Sequence, residues 1–313
     1  MLETARLLKA CGTPFIFRAG AWKPRTNPDT FQGIGEEALS WLVEVKQTYG
    51  VEVATEVVTP DHTREALFAG IDYLWIGART SANPIAVQAV ADTIRHTKQK
   101  PKGILVKNPV SEDSALWLGN IERMERTGIP VVAVHRGCNH QPCWRMAHEL
   151  RLKRPDIPLL IDPSHMSGDA DKIAALLSKA AELGYDGTMI EIHCDPSSAL
   201  SDAKQQITPT QYQSIIGSIL DNTRDSSERE LRWLRAEIDE LDDRLWETLS
   251  KRMDVSRRIG EWKKANGIAP LQPQRYQEIL STRQQWAGQH GLSESFVSQL
   301  FDLIHAESLK QQE

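Results

Sequence analysis

No run of eighteen apolar residues occurs in this 313-residue chain, so the sequence offers nothing to cross a bilayer as a helix. The first ten residues, Met1 to Ala10, carry charges through their apolar positions and lack the uninterrupted core of a secretory signal. Cysteine is scarce: Cys11, Cys138, Cys143 and Cys194 are too few for a disulfide framework at this length. Cys138, His140 and Cys143 lie close enough together to suggest a metal cluster, but no fourth ligand accompanies them and they read as loop residues. Neither sign of charge dominates. A net charge of −5 with the signs well mixed gives no basic footprint for nucleic acid and no polybasic stretch for a membrane surface. These absences predict a cytoplasmic protein with no nucleic-acid or membrane partner, whose anionic ligands, if any, are met by local basic clusters.

What is present suits a globular protein larger than one ordinary domain: 40% hydrophobic and 25% charged residues over this length leave room for two cores. Short apolar runs rich in β-branched and aromatic residues begin at residues 14, 51, 72, 102, 130, 158 and 186. Between them lie segments of helical period such as Glu36 to Tyr49 and Asp171 to Leu183. Strand and helix therefore alternate at the spacing of βαβ units, which predicts a parallel sheet buried on both faces. Seven strands in this alternation fit either a doubly wound sheet or a (β/α)₈ barrel short of one strand.

The strand ends favour the barrel. Each run has a charged or ionisable residue at or near its C-terminal end: Lys23, Glu56, Arg79, Lys107, Arg136, His165 and Glu191. In a barrel that rim is the catalytic mouth. With Arg25 included, five cations converge there, a set suited to phosphate and carboxylate oxygens. His165, Glu191 and the nearby Asp202 suit a divalent cation with mixed nitrogen and oxygen ligands.

The pattern changes after a polar, charged segment at Asp221 to Arg229, which reads as a linker. Leu234, Ile238, Leu241, Leu245 and Leu249 form a helical stripe that Ile259 and Trp262 extend, interrupted only by the isolated Gly260. One long helix is expected, ended by Gly267 and Pro270, then a second from Gln274 and a third capped by Ser293. The expected division is 1–220, a linker at 221–228, and 229–313. Arg252 and Lys263 are eleven residues apart and share a face of the long helix at about 16 Å. Arg235 falls about 100° away on that cylinder, so it serves the same pocket only if a partner chain donates it.

Several motifs in order carry a resemblance. LysProArgThr at 23–26, PheGlnGly at 31–33, GlyAlaArgThr at 77–80, HisArgGly at 135–137, AspProSerHis at 162–165, GluIleHis at 191–193 and SerAspAlaLysGln at 201–205 resemble the 3-deoxy-D-arabino-heptulosonate 7-phosphate (DAHP) synthases of the short β subclass. The resemblance implies a TIM barrel in which Arg18, Lys23, Arg79, Lys107 and Arg136 hold phosphoenolpyruvate. Lys23, Pro24, Arg25 and Thr26 would meet erythrose 4-phosphate, and His165, Glu191 and Asp202 a divalent metal of the manganese, iron, cobalt or zinc type. That family's first strand carries a GlyProCys motif whose cysteine is the fourth metal ligand. The chain starts after it, so a barrel without its first strand is expected, and a rival reading is a catalytically incomplete, regulatory barrel. A related octulosonate 8-phosphate synthase is disfavoured by LysProArgThr in place of a LysAlaAsn-type loop.

Residues 229–313 resemble all-helical chorismate mutases through LeuArgAlaGluIleAspGluLeuAsp at 234–242 with Arg252, Lys263, Arg275, Ser308 and Gln312 in register. By that resemblance Arg252, with Arg235 of a partner chain, binds the carboxylates of chorismate while Lys263 and Gln312 reach its ether oxygen. Arg275 and Ser308 complete the pocket, and a homodimer forms through the mutase helices. Tyr276 and Gln272 stand where those mutases usually have acidic residues.

Overall fold

Each β-branched run expected to form a strand does so, and each is followed by a helix that covers it. The structure, a computed structural model, describes residues 1–24, 29–220, 228–269 and 272–312; Arg25, Thr26 and the expected linker at 221–227 lie outside the described residues. The chain runs α1 (Leu2–Ala10), β1 (Ile16–Arg18), α2 (Glu37–Tyr49), β2 (Glu52–Glu56), α3 (Pro60–Phe68), β3 (Tyr73–Ile76), α4 (Ala78–Ser81), α5 (Pro84–His96), β4 (Gly103–Lys107), α6 (Ser114–Glu125), β5 (Val131–His135), α7 (Trp144–Lys153), β6 (Leu159–Ile161), α8 (Pro163–Ser167), α9 (Ile173–Leu183), β7 (Gly187–Thr188) and α10 (Pro209–Leu220).

The strands pair in the order β1-β2-β3-β4-β5-β6-β7, every neighbouring pair parallel, giving a curled half-barrel sheet. Among the described residues β7 does not pair with β1, so the sheet stays open. Strand residues alternate between two apolar layers, as the two-residue period of a strand requires. Val53, Leu74, Ile104, Ala133, Leu159 and Ile161 join the large core under the helices. Ala54, Trp75, Leu105, Val134 and Met189 form a separate cluster on the other face, where Leu160 packs against them.

The first compact unit runs from Met1 to Glu237 and the second from Ile238 to Glu313. The first extends beyond the barrel helices because Trp233 and Ala236, both buried, join its core. The Trp233 indole stacks on His148 of α7 at 5.5 Å and contacts Tyr185 and Trp144, while Glu237 meets His148 Nδ1 at 2.5 Å. These residues open α11 (Arg229–Ala265), the expected long helix. In the second unit it is followed by α12 (Pro273–Gln289) and α13 (Glu294–Lys310), the latter capped by Ser293, whose hydroxyl accepts from the Phe296 amide. No described helix is long and apolar enough to cross a membrane.

Candidate functional site

The two-residue period that builds the inner cluster also builds the first site. Two positions beyond Ala54, Trp75, Leu105, Val134, Leu160 and Met189, at the C-terminal ends of the strands, stand Glu56, Gly77, Lys107, Arg136, Asp162 and Glu191. Arg18 ends β1, its guanidinium 5.5 Å from the Trp75 ring. Gly77 is required by this layering: a Cβ there would lie 1.9 Å from Glu56 Oε1.

Asp162 is the organiser of this rim. Its carboxylate accepts from Lys107 Nζ at 2.6 Å and from the His165 amide at 3.1 Å, and it lies 3.0 Å from His165 Nδ1. It thus N-caps α8, with Pro163 in the first helical position where a missing N–H costs nothing. Burial opposes its ionisation, but His165, Lys107 and Arg18 hold its carboxyl well below the usual range. Burial also lowers Lys107 from the ordinary lysine value, against the pull of Asp162. Glu56 is raised by burial despite Lys107 and His165 nearby. Glu191, buried too, is lowered by His165, Arg18 and Lys23.

The cations expected to bind anions are differently placed. Arg136, buried, donates to its neighbour Gly137 at 3.4 Å and to the His165 carbonyl at 3.3 Å, both long. Arg18 Nε and Nη2 are buried and make no hydrogen bond among the described residues, Nη2 standing 3.8 Å from Glu191 Oε1. Arg79 is exposed, close enough to Arg136 for its charge to lower that guanidinium's pKa. Lys23 follows β1 by five residues rather than ending it, with Pro24 half-buried beside it. Its ammonium donates to Ser201 Oγ at 2.5 Å and Asp202 Oδ2 at 2.7 Å.

That pairing decides how the three expected metal ligands fit a divalent ion. His165 Nε2 and Glu191 Oε1 face each other at 3.7 Å, while Asp202 is turned to Lys23. Among the described residues no group of three His, Cys, Asp or Glu side chains gathers in a way that holds a metal. As arranged, the donors do not fit the ion. Cys138 and Cys143 are buried in the loop after β5.

The second unit has its own polar cluster. Arg252 donates through Nη1 to Ser308 Oγ, and Lys263 Nζ donates to Gln312 Oε1 at 3.2 Å, which ties α11 to the end of α13. Burial lowers the Arg252 pKa. Gly260 allows this approach, since a Cβ on it would fall 2.6 Å from the Gln312 Cα. Arg275 is not brought to the cluster; it is exposed and pairs with Glu278 at 3.1 Å. Arg235 is exposed on the part of α11 that belongs to the first unit. His305, not singled out in the sequence, stacks on Tyr276 at 4.1 Å.

A parallel half-barrel with cations at its strand ends, followed by a helical unit with a cationic cluster, defines the class: an α/β barrel fused to a helical module. Residues 1–226 match the DAHP synthetase I family, and the chain belongs to that family. Residues 234–313 match chorismate mutase type II. The chain is similar to a phospho-2-dehydro-3-deoxyheptonate aldolase of Thermotoga maritima, 30% identical over 224 residues covering 69% of this chain and 63% of that protein. The crystal structure of a Thermotoga maritima phospho-2-dehydro-3-deoxyheptonate aldolase (DAHP synthase) superposes with a TM-score of 0.61 at 27% identity, over 70% of this chain and 64% of that one. The chain thus spans a little under two thirds of the length of these relatives. Its helical region is similar to a 4-amino-4-deoxychorismate mutase of Streptomyces venezuelae, 38% identical over 82 residues, 26% of this chain and 80% of that protein.

Proposed function

We propose that the chain is bifunctional: a barrel over residues 1–220 that condenses phosphoenolpyruvate with erythrose 4-phosphate to DAHP, and a helical domain over 229–313 that rearranges chorismate to prephenate. The observation that carries the first half is the Arg18 guanidinium beside Lys107, whose buried Nε and Nη2 lack hydrogen-bond partners among the described residues. Buried unsatisfied donors are costly, and an anion relieves that cost. Arg18, Lys107, Arg136 and Arg79 hold the phosphate and carboxylate of phosphoenolpyruvate, fixing the enol carbon for attack on the aldehyde. Lys23 to Thr26 receive the sugar phosphate. For Asp202 to join His165 and Glu191 on a divalent ion, Lys23 has to release it.

In the helical domain no covalent catalyst is needed. Arg252 and the partner's Arg235 restrain the two carboxylates, while Lys263 and Gln312 donate to the ether oxygen that gains negative charge. The exposed apolar stripe of α11, with Ile238, Leu241, Leu245 and Trp246 all at or above 49% exposure, supports a homodimer in which a second copy of this helix covers it.

The test is product formation by the full chain. Formation of DAHP from the two phosphates, lost in Arg18→Ala, and of prephenate from chorismate, lost in Arg252→Ala, is the expected result. The Lys23–Asp202 pair favours a second reading, a mutase carried on a regulatory barrel. Tight phosphoenolpyruvate binding without any turnover, with metal supplied, would decide for it.

A further inference from the structure

On α13, His305 and Ser308 are i and i+3 neighbours on one helix face, and Gln312 follows in the turn just beyond the helix end. Ser308 and Gln312 reach Arg252 and Lys263. His305 lies in the field of the same two cations: burial, then Arg252, and also Lys263 push its pKa down, with only Asp302 opposing. The ring is therefore neutral at pH 7. It stacks on Tyr276 of α12 at 4.1 Å with an interplanar angle of 20°, and the Tyr276 hydroxyl donates to Asp302 Oδ1. The stack holds the imidazole, and the hydroxyl bond holds the Tyr276 ring. The His305 Nε2 is shielded from solvent and makes no hydrogen bond among the described residues. A buried polar atom without a partner calls for a group that completes it.

The mutase reading supplies that group by elimination. Chorismate carries two carboxylates, an ether oxygen and one ring hydroxyl. The arginines meet the carboxylates, and Lys263 with Gln312 meets the ether oxygen, which leaves the hydroxyl unassigned. We propose that His305 Nε2 hydrogen-bonds the ring hydroxyl of the mutase substrate, with Tyr276 and Asp302 positioning the imidazole, and so selects a hydroxylated over an aminated ring. The selection has an electrostatic origin. The cations that keep His305 neutral also repel an ammonium group at that ring position, whereas a hydroxyl carries no charge to be repelled. His305 is thus a specificity residue on the pocket wall.

This assignment rests on the mutase reading, and the experiment separates the two. Steady-state rearrangement of chorismate and of 4-amino-4-deoxychorismate is measured with the full chain, His305→Phe, His305→Leu and His305→Gln. His305→Phe keeps an aromatic ring on Tyr276 and deletes the nitrogen, His305→Leu guards against a defect peculiar to one replacement, and His305→Gln restores a polar group. The wild type is expected to prefer chorismate. His305→Phe and His305→Leu should raise its KM about tenfold, the scale of one hydrogen bond, with kcat within about twofold. His305→Gln should recover most of that loss, and the preference over the amine should shrink in the two apolar variants. A wild type active on chorismate whose apolar variants keep its KM, or one that prefers the amine, overturns the His305 assignment while the mutase reading stands. A wild type inactive on both substrates overturns the mutase reading and the assignment with it.

Discussion

The Lys107 ammonium and the Asp162 carboxylate form a 2.6 Å ion pair sealed from solvent, 55 residues apart in sequence, joining the end of β4 to the residue that follows β6. Two charges removed from water are tolerated only because each has the other, and Asp162 also satisfies His165. Replacing one partner leaves a bare charge in the core. Asp162→Asn, nearly isosteric, is expected to destabilise the first unit by about 3 kcal/mol, within the range for breaking a buried pair. Urea unfolding followed by tryptophan fluorescence measures it, and the double variant with Lys107→Met should lose less than the sum of the single changes. A loss below about 1 kcal/mol would show that the pair is hydrated rather than sealed.

His135, on β5 beside Arg136, gives the fold an acid-sensitive element. Burial first, and then the Arg136 charge, lower its pKa from the ordinary 6.5 to about 3, while its Nδ1 contacts the Tyr185 hydroxyl at 2.8 Å. Between those values the unfolded chain binds a proton that the folded chain refuses. The contribution is therefore complete above pH 6.5 and is lost as pH falls towards 3. From pH 6.5 to 4.5 the loss amounts to about 2 kcal/mol. His135→Asn has no such proton to take up, so its stability should vary less with pH over that window, whatever its stability at pH 7. Parallel pH slopes for the two chains would refute the assignment.

Much of this was legible in the sequence, for physical reasons. The seven strands could be read because parallel strands buried on both faces are continuous β-branched runs, and the rim residues Glu56, Lys107, Arg136 and Glu191 because charges at the ends of such runs have few structural uses. Asp162 lay inside a quoted motif and caps α8 locally, but its pairing with Lys107 depends on a contact across β5 that spacing does not encode. The Lys23–Asp202 pair spans 179 residues and was out of reach for the same reason. Gly260 read only as an isolated interruption of a long helix; the Gln312 backbone laid against it shows that a side chain there has no room. Trp233 was not singled out in the sequence, yet it belongs to the core of the first unit.

Gly260→Ala follows from that packing. A methyl group 2.6 Å from the Gln312 Cα must push the end of α13 away from α11, although alanine favours a helix more than glycine does. The Lys263–Gln312 and Arg252–Ser308 contacts depend on that approach. Chorismate turnover should fall by about a hundredfold, as when a donor to a developing oxyanion is lost. Phosphoenolpyruvate binding, measured by calorimetry on the same chain, should not change. Undiminished turnover would mean that Gln312 takes no part.

On the proposed ligand set, Lys23 and a divalent ion would compete for the Asp202 carboxylate. The ammonium 2.7 Å from Asp202 neutralises it, and His165 with Glu191 alone is a poor site. Lys23→Met removes the ammonium partner of Asp202, so this variant should bind Mn²⁺ or Co²⁺ in the absence of substrates at least about tenfold more tightly than the wild type, the equivalent of about 1.4 kcal/mol. Calorimetric titration reads this without reference to activity. Equal affinities would place any metal elsewhere.

The helical domain offers the clearest genetic test. Arg235 lies seventeen residues before Arg252 on the continuous helix α11, which turns the two side chains about 100° apart, and Arg235 is exposed. If a partner chain donates Arg235, then Arg235→Ala and Arg252→Ala should each be nearly inactive on chorismate, because each removes a charge-assisted contact to a carboxylate from every pocket. Co-expression of the two variants with different tags allows heterodimers to be isolated. Such a heterodimer has one pocket with both arginines and one with neither, so about half of the wild-type activity should return. Activity no higher than that of either parent, in purified heterodimers, would place Arg235 in its own chain's pocket or outside the site.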